Sequence, residues 1–165
     1  MTQELWENFA AVLQETLDLY QALLRLSIHK REVLIAADAP VLEKLTRQEE
    51  LLVLQVAKME ALRKRVQSQL AKVYAISPDE LTLSKAGTLA PASVADRLTT
   101  IGKEFETVSG ELMPLNQSNA RLIEQALTFV NYNVNLLSRN MAGPTYAPQG
   151  QAGQSAVRSM IDQKA

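Results

Sequence analysis

The stretch VADRLTTIGKEFETVSGELMPLNQSNARLIEQALTFVNYNVNLLSRN, residues 94–140, decides the fold class of this chain. Every seventh residue of it is apolar: Val94, Ile101, Val108, Leu115, Leu122, Phe129 and Leu136. An apolar heptad of this length indicates one long helix that packs in a coiled-coil-like manner. At about 1.5 Å per residue the helix would be roughly 70 Å long.

The second half of this helix loses its charged residues. No charged side chain occurs between Glu124 and Arg139, where three asparagines alternate with Tyr132, Val134 and Leu136. Exposed helix faces usually carry charge, and exposed apolar patches tend to mark interaction sites. The pattern leaves two interpretations: this end is buried in its own bundle, or it is covered by a partner.

Two further long helices precede this one. Apolar residues at intervals of three and four predict a first helix over about 3–37 and a second over about 40–74. Asp38 and Pro40 fit the start of the second helix, as cap and first-turn proline. The short connection predicts antiparallel neighbours. The fold class is therefore all-α: an elongated antiparallel three-long-helix bundle or coiled coil with one short connecting helix and a flexible C-terminal tail.

Residues 75–92 form the one long connection between these helices. Ser77, Pro78 and Glu80 have the spacing of a capping box, which predicts one short helical turn through Leu83. Gly87 and Pro91 predict that the remainder stays outside the long helices.

After Asn140 the composition changes, and we predict two regions: a helical bundle domain over 1–140 and a flexible tail over 141–165. Residues 141–155 contain three glycines and two prolines. Such a composition buries too little apolar surface to offset chain entropy. Tyr146 is an aromatic residue inside this tail, and either an inert tail or one that orders on a partner fits the pattern.

Composition excludes several function classes. The 165 residues contain 17 basic and 18 acidic side chains and no cysteine, so neither nucleic-acid binding nor thiolate chemistry is indicated. Without a signal peptide or an apolar run long enough for a bilayer, the chain is expected to be cytoplasmic. The single histidine, His29, has no partner set for catalysis or metal binding. We therefore expect no enzyme, no cofactor and no metal site, and we interpret the basic run Arg63-Lys64-Arg65 as a solvated face.

Three segments in order carry a resemblance: LEKLTRQEELLVLQVAKMEALRKR (42–65), LNQSNARLIEQALTFVNYNVNLL (115–137) and TYAPQG (145–150). With them, the chain resembles the FlgN family of flagellar export chaperones from its first helix to Gly150. The resemblance implies a non-enzymatic chaperone of type III secretion. It would bind the C-terminal helical segments of hook-filament junction (hook-associated) proteins, keep them unassembled and deliver them to the export gate.

The resemblance also implies where cargo binds. The partner-binding residues would lie in the second half of the third helix and in the tail: Asn119, Leu122, Ile123, Ala126, Leu127, Phe129, Val130, Asn133, Leu136, Leu137 and Tyr146. Its other partners would be an export-gate membrane protein or the export ATPase complex, contacted transiently, with no nucleic acid and no membrane insertion.

Three alternatives stay open at this stage. A structural coiled-coil protein would self-associate along the third helix, and a homodimer is compatible with the heptad. A small helical enzyme would need a polar pocket. An amphipathic membrane-surface protein would need a concentrated basic face, which no helix shows.

Overall fold

The computed structural model describes residues 2–141, with side chains as far as Arg139. Helices make up nearly all of this range, in the order α1 (Thr2–Ala36), α2 (Ala39–Val73), a 3-10 helix (Pro78–Glu80), α3 (Leu83–Leu89) and α4 (Ala92–Met141). No strand occurs among these residues, which confirms the all-α class.

The chain divides into two compact units, Met1–Leu127 and Thr128–Ala165, and the division falls within α4. Our sequence-based boundary after Asn140 stays a prediction. The predicted tail, with Tyr146, lies outside the described residues except for the backbone of Met141.

The connection between α1 and α2 is a close turn. Ala37 adopts a left-handed backbone (φ 54°), and Asp38 N donates to Val33 O at 3.2 Å, which closes the end of α1. The Asp38 side chain accepts from Val41 N at 3.1 Å, and Pro40 lies in the first turn of α2. Both start signals predicted for the second helix are confirmed.

The connector between α2 and α4 is more helical than expected. The Ser77 hydroxyl accepts from Glu80 N at 3.3 Å and the Glu80 carboxylate accepts from Ser77 N at 2.9 Å, so the capping box is confirmed. Beyond it, α3 was missed. It forms because Thr82 caps its start, accepting from Lys85 N at 3.2 Å, and because burial of Ala86 in the core compensates for the poor helix propensity of Gly87.

Gly102 allows α4 to approach the connector closely. A Cβ built at this position would lie 2.9 Å from Leu83 Cδ2. Glycine in a helix interior is destabilising by about 0.5–1 kcal/mol relative to alanine. The close approach of Leu83 explains why a glycine is accommodated here.

One hydrophobic core joins α1, α2, the connector and the first half of α4. The predicted heptad residues Val94, Ile101 and Val108 of α4 are buried in it, together with Leu98. The core also contains Trp6, Phe9, Ala10, Leu13, Leu17, Val66, Leu70, Leu81 and Ala86. Side chains from four successive segments thus exclude water together.

Long-range contacts define the helix directions within Met1–Leu127. Trp6 contacts Tyr74, and Lys30 pairs with Glu49 at 2.6 Å, so α1 and α2 run in opposite directions.

The contacts between α1 and α4 show that these two helices are parallel. Arg97 pairs with Glu7 at 2.6 Å, and Ser27 Oγ donates to Asn116 Oδ1 at 2.9 Å. Sequence numbers therefore increase together along the two helices, which lie side by side and parallel.

Trp6 is the largest fully buried side chain and carries a polar group that needs a partner. Its indole Nε1 donates to the Tyr74 hydroxyl at 3.0 Å, and that hydroxyl donates to Leu89 O at 3.3 Å. Two hydrogen bonds in series thus connect the start of α1, the end of α2 and the end of α3.

We predict that Tyr74→Phe lowers the free energy of unfolding by about 1–3 kcal/mol, because the buried indole donor of Trp6 loses its acceptor. Urea denaturation followed by tryptophan fluorescence measures the change. The matched control is Tyr132→Phe, because Tyr132 is 63% exposed and its substitution should change the free energy of unfolding by no more than about 0.5 kcal/mol. Equal effects of the two substitutions would contradict the role assigned to the Tyr74 hydroxyl.

Candidate functional site

The described part of Thr128–Ala165 exposes most of its large apolar side chains. Phe129 is 68% exposed and Leu137 is 62% exposed. Val130, Tyr132, Val134 and Leu136 are exposed as well. Because the same segment has no charged residue before Arg139, the side chains that it presents to solvent up to that point are all uncharged.

These exposed side chains form two rows along the helix. Val130, Val134 and Leu137 recur at intervals of four and three, and Phe129, Tyr132 and Leu136 at intervals of three and four. Tyr132 and Val134 were not among the predicted site residues. The signal that could have identified them is their alternation with asparagines. Such alternation is typical of a strand, but this segment is a helix with apolar side chains on two sides.

The asparagines separate the two rows. Asn131 and Asn135 are exposed, and Asn133 is half-buried. The Asn133 amide Nδ2 donates to Phe129 O at 3.0 Å, one turn earlier in the same helix. This bond leaves the side-chain oxygen of Asn133 as its main group for a partner.

The predicted residues that belong to Met1–Leu127 are less uniformly exposed. Leu122 and Ile123 are half-buried, whereas Ala126 and Leu127 are exposed. Leu127 has 58% of its surface accessible.

Asn119 must be removed from the predicted exposed surface. Its side chain is only 4% exposed, and Nδ2 donates to the backbone carbonyl of Ser27 at 2.9 Å. The Asn119 Oδ1 atom is buried without a hydrogen-bond partner among the described residues. Together with the Ser27–Asn116 hydrogen bond, Asn119 forms a polar layer between α1 and α4. Its amide joins two helices of the chain and is unavailable to a partner.

The candidate residues for other chemistry are spread over the molecule. His29 is exposed on α1, and no group of three His, Cys, Asp or Glu side chains within the described range is placed to hold a metal ion. Arg63 donates to both carboxylate oxygens of Glu60 and to Gln67 Oε1. The guanidinium is therefore already paired.

A comparison with protein-family models identifies one match, to the FlgN protein, over residues 1–154. The chain belongs to the FlgN family. The match includes both the described helices and most of the predicted tail, and it confirms the resemblance drawn from the three sequence segments. Comparisons with the curated proteins and with the solved structures found no match.

Membership of the FlgN family points to a role as a flagellar export chaperone that binds flagellar proteins. FlgN is a family of chaperones and is not known as a family of enzymes. Among the helices within Thr2–Met141, none combines the length and the hydropathy required to cross a bilayer.

We predict that Asn119→Asp destabilises the protein by about 2–4 kcal/mol at neutral pH, because a buried carboxylate would face the Ser27 carbonyl without a cation. Burial raises the pKa of the new carboxyl, so the folded state binds more protons than the unfolded state. Stability should therefore decrease as pH rises above about 4 and recover below it, where the protonated acid can donate to Ser27 O. Urea denaturation between pH 3.5 and 7.5 measures this.

The control for this substitution is Asn131→Asp, which introduces the same group at an exposed position of α4. It should change the free energy of unfolding by no more than about 0.5 kcal/mol throughout the same pH range. A pH-independent loss in Asn119→Asp would show that the damage is steric and would contradict the electrostatic account.

Proposed function

We propose that this chain is a cytoplasmic flagellar export chaperone that binds the C-terminal helical segments of hook-filament junction proteins, keeps them unassembled and delivers them to the type III export gate. The family match supports the chaperone role. The observation that carries the cargo site is the charge-free, exposed apolar segment from Phe129 to Leu137.

The physical properties of this segment suit a helical cargo. Helix-in-groove recognition uses apolar contacts at intervals of three and four, which is the spacing of both rows on the described end of α4 from residue 128 onward, here called distal α4. Covering Phe129 and Leu137 removes large apolar surfaces from water at about 25 cal/mol per Å². Cargo subunits that assemble through amphipathic helices expose the complementary apolar stripe before assembly. The chaperone would cover that stripe.

The amides of the segment favour binding that can be reversed. Asn131 and Asn135 can exchange water for hydrogen bonds to a partner without the large desolvation cost of a charge. A delivery protein has to release its cargo, so we infer a moderate affinity. The half-buried Leu122 and Ile123 and the exposed Ala126 and Leu127 remain predicted contacts within Met1–Leu127.

We assign the remaining part of the predicted site to residues 141–165. In this proposal Tyr146 supplies an additional aromatic contact to the cargo, to an export-gate membrane protein or to the export ATPase complex. Aromatic side chains bury a large area with few rotatable bonds, and for that reason they are frequent at interfaces.

We further infer that α1, α2 and the first half of α4 form a three-helix bundle. The support comes from the shared core within Met1–Leu127 and from the opposed directions of α1 and α2. Such a bundle would be the rigid part of the chaperone, while the cargo site lies on distal α4.

A second candidate function, self-association as a structural coiled coil, rests on the same exposed rows. Two copies could pair through Phe129, Tyr132 and Leu136, because the heptad continues through Phe129 and Leu136 of this row. Sedimentation velocity across a hundredfold concentration range distinguishes the two functions. A dimer that persists at nanomolar concentration and binds no junction protein would favour the structural role.

The cargo proposal predicts that Phe129→Asp combined with Leu136→Asp weakens binding of a junction-protein C-terminal segment by at least about tenfold, since interface hot spots typically contribute 1–2 kcal/mol or more each. Both side chains are exposed, so the unfolding midpoint should stay unchanged. Isothermal titration calorimetry with the purified segment measures the affinity.

Asn131→Asp combined with Asn135→Asp is the matched control for charge, since it adds the same two carboxylates between the rows. Its effect should be distinctly smaller. Removal of residues 141–165 tests the tail separately and should weaken binding further. If the double Asp variant of the rows and the truncated chain both bind the segment as the original protein does, the cargo site is elsewhere.

A further inference from the structure

A groove on the α1–α2 pair is not used by the proposed cargo site. The cavity has a volume of about 520 Å³. Its floor contains Leu26 of α1 with Leu45 and Leu52 of α2, and Leu51 stands on its edge, 61% exposed. Arg25 and His29 of α1 line the opposite side.

One face of α2 forms the open edge of this groove through Gln48, Leu51 and Gln55, and it continues to Lys44 and Lys58 about one turn beyond the two ends. Lys44, Gln48, Leu51, Gln55 and Lys58 follow one another at intervals of four, three, four and three residues, so they lie on one face of the helix. All five are exposed. At 1.5 Å per residue, the two lysines are about 21 Å apart along the helix axis.

The charge of this region is uncompensated on the α2 side. No carboxylate lines the groove, and Lys44 and Lys58 form no ion pair within the described range. By contrast, Lys30 pairs with Glu49 and Arg47 pairs with Glu43.

The α1 side is closer to neutral. Asp18 and Glu32 lie on the same face of α1 as Arg25 and His29. Asp18 is about two turns before Arg25, and Glu32 is about one turn after His29. The excess positive charge therefore lies on the α2 side, about one turn beyond each end of the groove.

We propose that this groove is a docking site for an amphipathic helix of a second protein. The apolar stripe of that helix lies over Leu26, Leu51 and Leu52, and its carboxylates flank the stripe on the side that faces Lys44 and Lys58. Two carboxylates about 14 residues apart on the partner match the two lysines.

Two features support a helix as the occupant. The groove runs along the antiparallel helices α1 and α2 and has Leu45 and Leu52, seven residues apart, on its floor, which suits the apolar stripe of a docked helix. Lys44 and Lys58 lie about one turn beyond the two ends of the groove, with Gln48 and Gln55 between them, so the charges would determine the position of the helix along the groove while the leucines provide the apolar contact. This site involves no residue of the proposed cargo segment, residues 129–137, so the two proposed sites share no side chain.

A displayed library of helical peptides tests the proposal. Each 18-residue peptide carries leucines at positions i, i+4, i+7 and i+11, and its flanking positions are drawn equally from Glu, Gln and Lys. Selection uses the full chain, with counter-selection against the Leu51→Gln variant, which should fold normally because Leu51 is largely exposed. We expect Glu to be enriched over Lys by about fivefold or more at two flanking positions about 14 residues apart, given the strength of charge complementarity at interfaces.

A charge-reversal pair then tests the assigned lysines with one selected peptide. Fluorescence anisotropy should show binding weakened by about tenfold or more in Lys44→Glu with Lys58→Glu, and a smaller loss at high salt in the original protein. The matched control is Lys64→Glu with Lys103→Glu, two exposed lysines outside the groove. It makes the same change in net charge and should alter the affinity by less than about twofold.

Three results would overturn the proposal: no peptide whose binding depends on Leu51, equal or greater recovery of Lys over Glu, or equal effects of the two charge-reversal pairs. Dimerisation through this groove, seen as a loss of self-association in Leu51→Gln, would also overturn it by assigning the face to a second copy. The Phe129→Asp and Leu136→Asp variant should bind the selected peptide normally. The cargo proposal and the groove proposal therefore fail independently.

Discussion

Burial of the apolar face of α1 is the interaction on which the described fold depends. Trp6, Leu13 and Leu17 lose nearly all contact with water, and they do so against side chains from α2, the connector and α4 together. An apolar face as wide as that of α1 is typical of a helix that packs against two neighbours, since one neighbour covers only part of it. Burial alone does not determine the orientation of the Trp6 and Tyr74 side chains. The hydrogen bonds from Trp6 to Tyr74 and from Tyr74 to Leu89 do, because hydrogen bonds are directional.

The helices were predictable because their signals are local. The spacing of apolar residues, Asp38 with Pro40, and Ser77 with Glu80 act within a few residues of each other, and the helix ends agree with the prediction to within one or two positions. Helix α3 was missed because its strongest support, the burial of Ala86 against the core, comes from residues distant in sequence. The local composition, with Gly87 and Pro91, predicted an irregular segment instead.

The same contrast between local and long-range signals decides which features of the candidate site could be predicted. The charge-free run before Arg139 was visible in the sequence, and the residues from Phe129 to Leu137 are indeed mostly exposed. Asn119 looked equivalent to Asn133, since both occupy the same heptad position. The difference arises from the Ser27 carbonyl, 92 residues away, which accepts from one asparagine and has no counterpart at the other. A long-range acceptor of this kind leaves no trace in the spacing of residues on a single helix.

The polar layer at Ser27, Asn116 and Asn119 has a consequence for the alignment of α1 with α4. Moving one helix along the other by a single turn, about 5.4 Å, would separate the buried Asn119 amide from the Ser27 carbonyl and leave its donor without this partner. The apolar contacts on either side are much less selective, because leucine, valine and isoleucine tolerate exchange. The hydrogen bonds of Ser27 with Asn116 and Asn119 thus favour one axial alignment of the two parallel helices over alignments that are shifted by a turn.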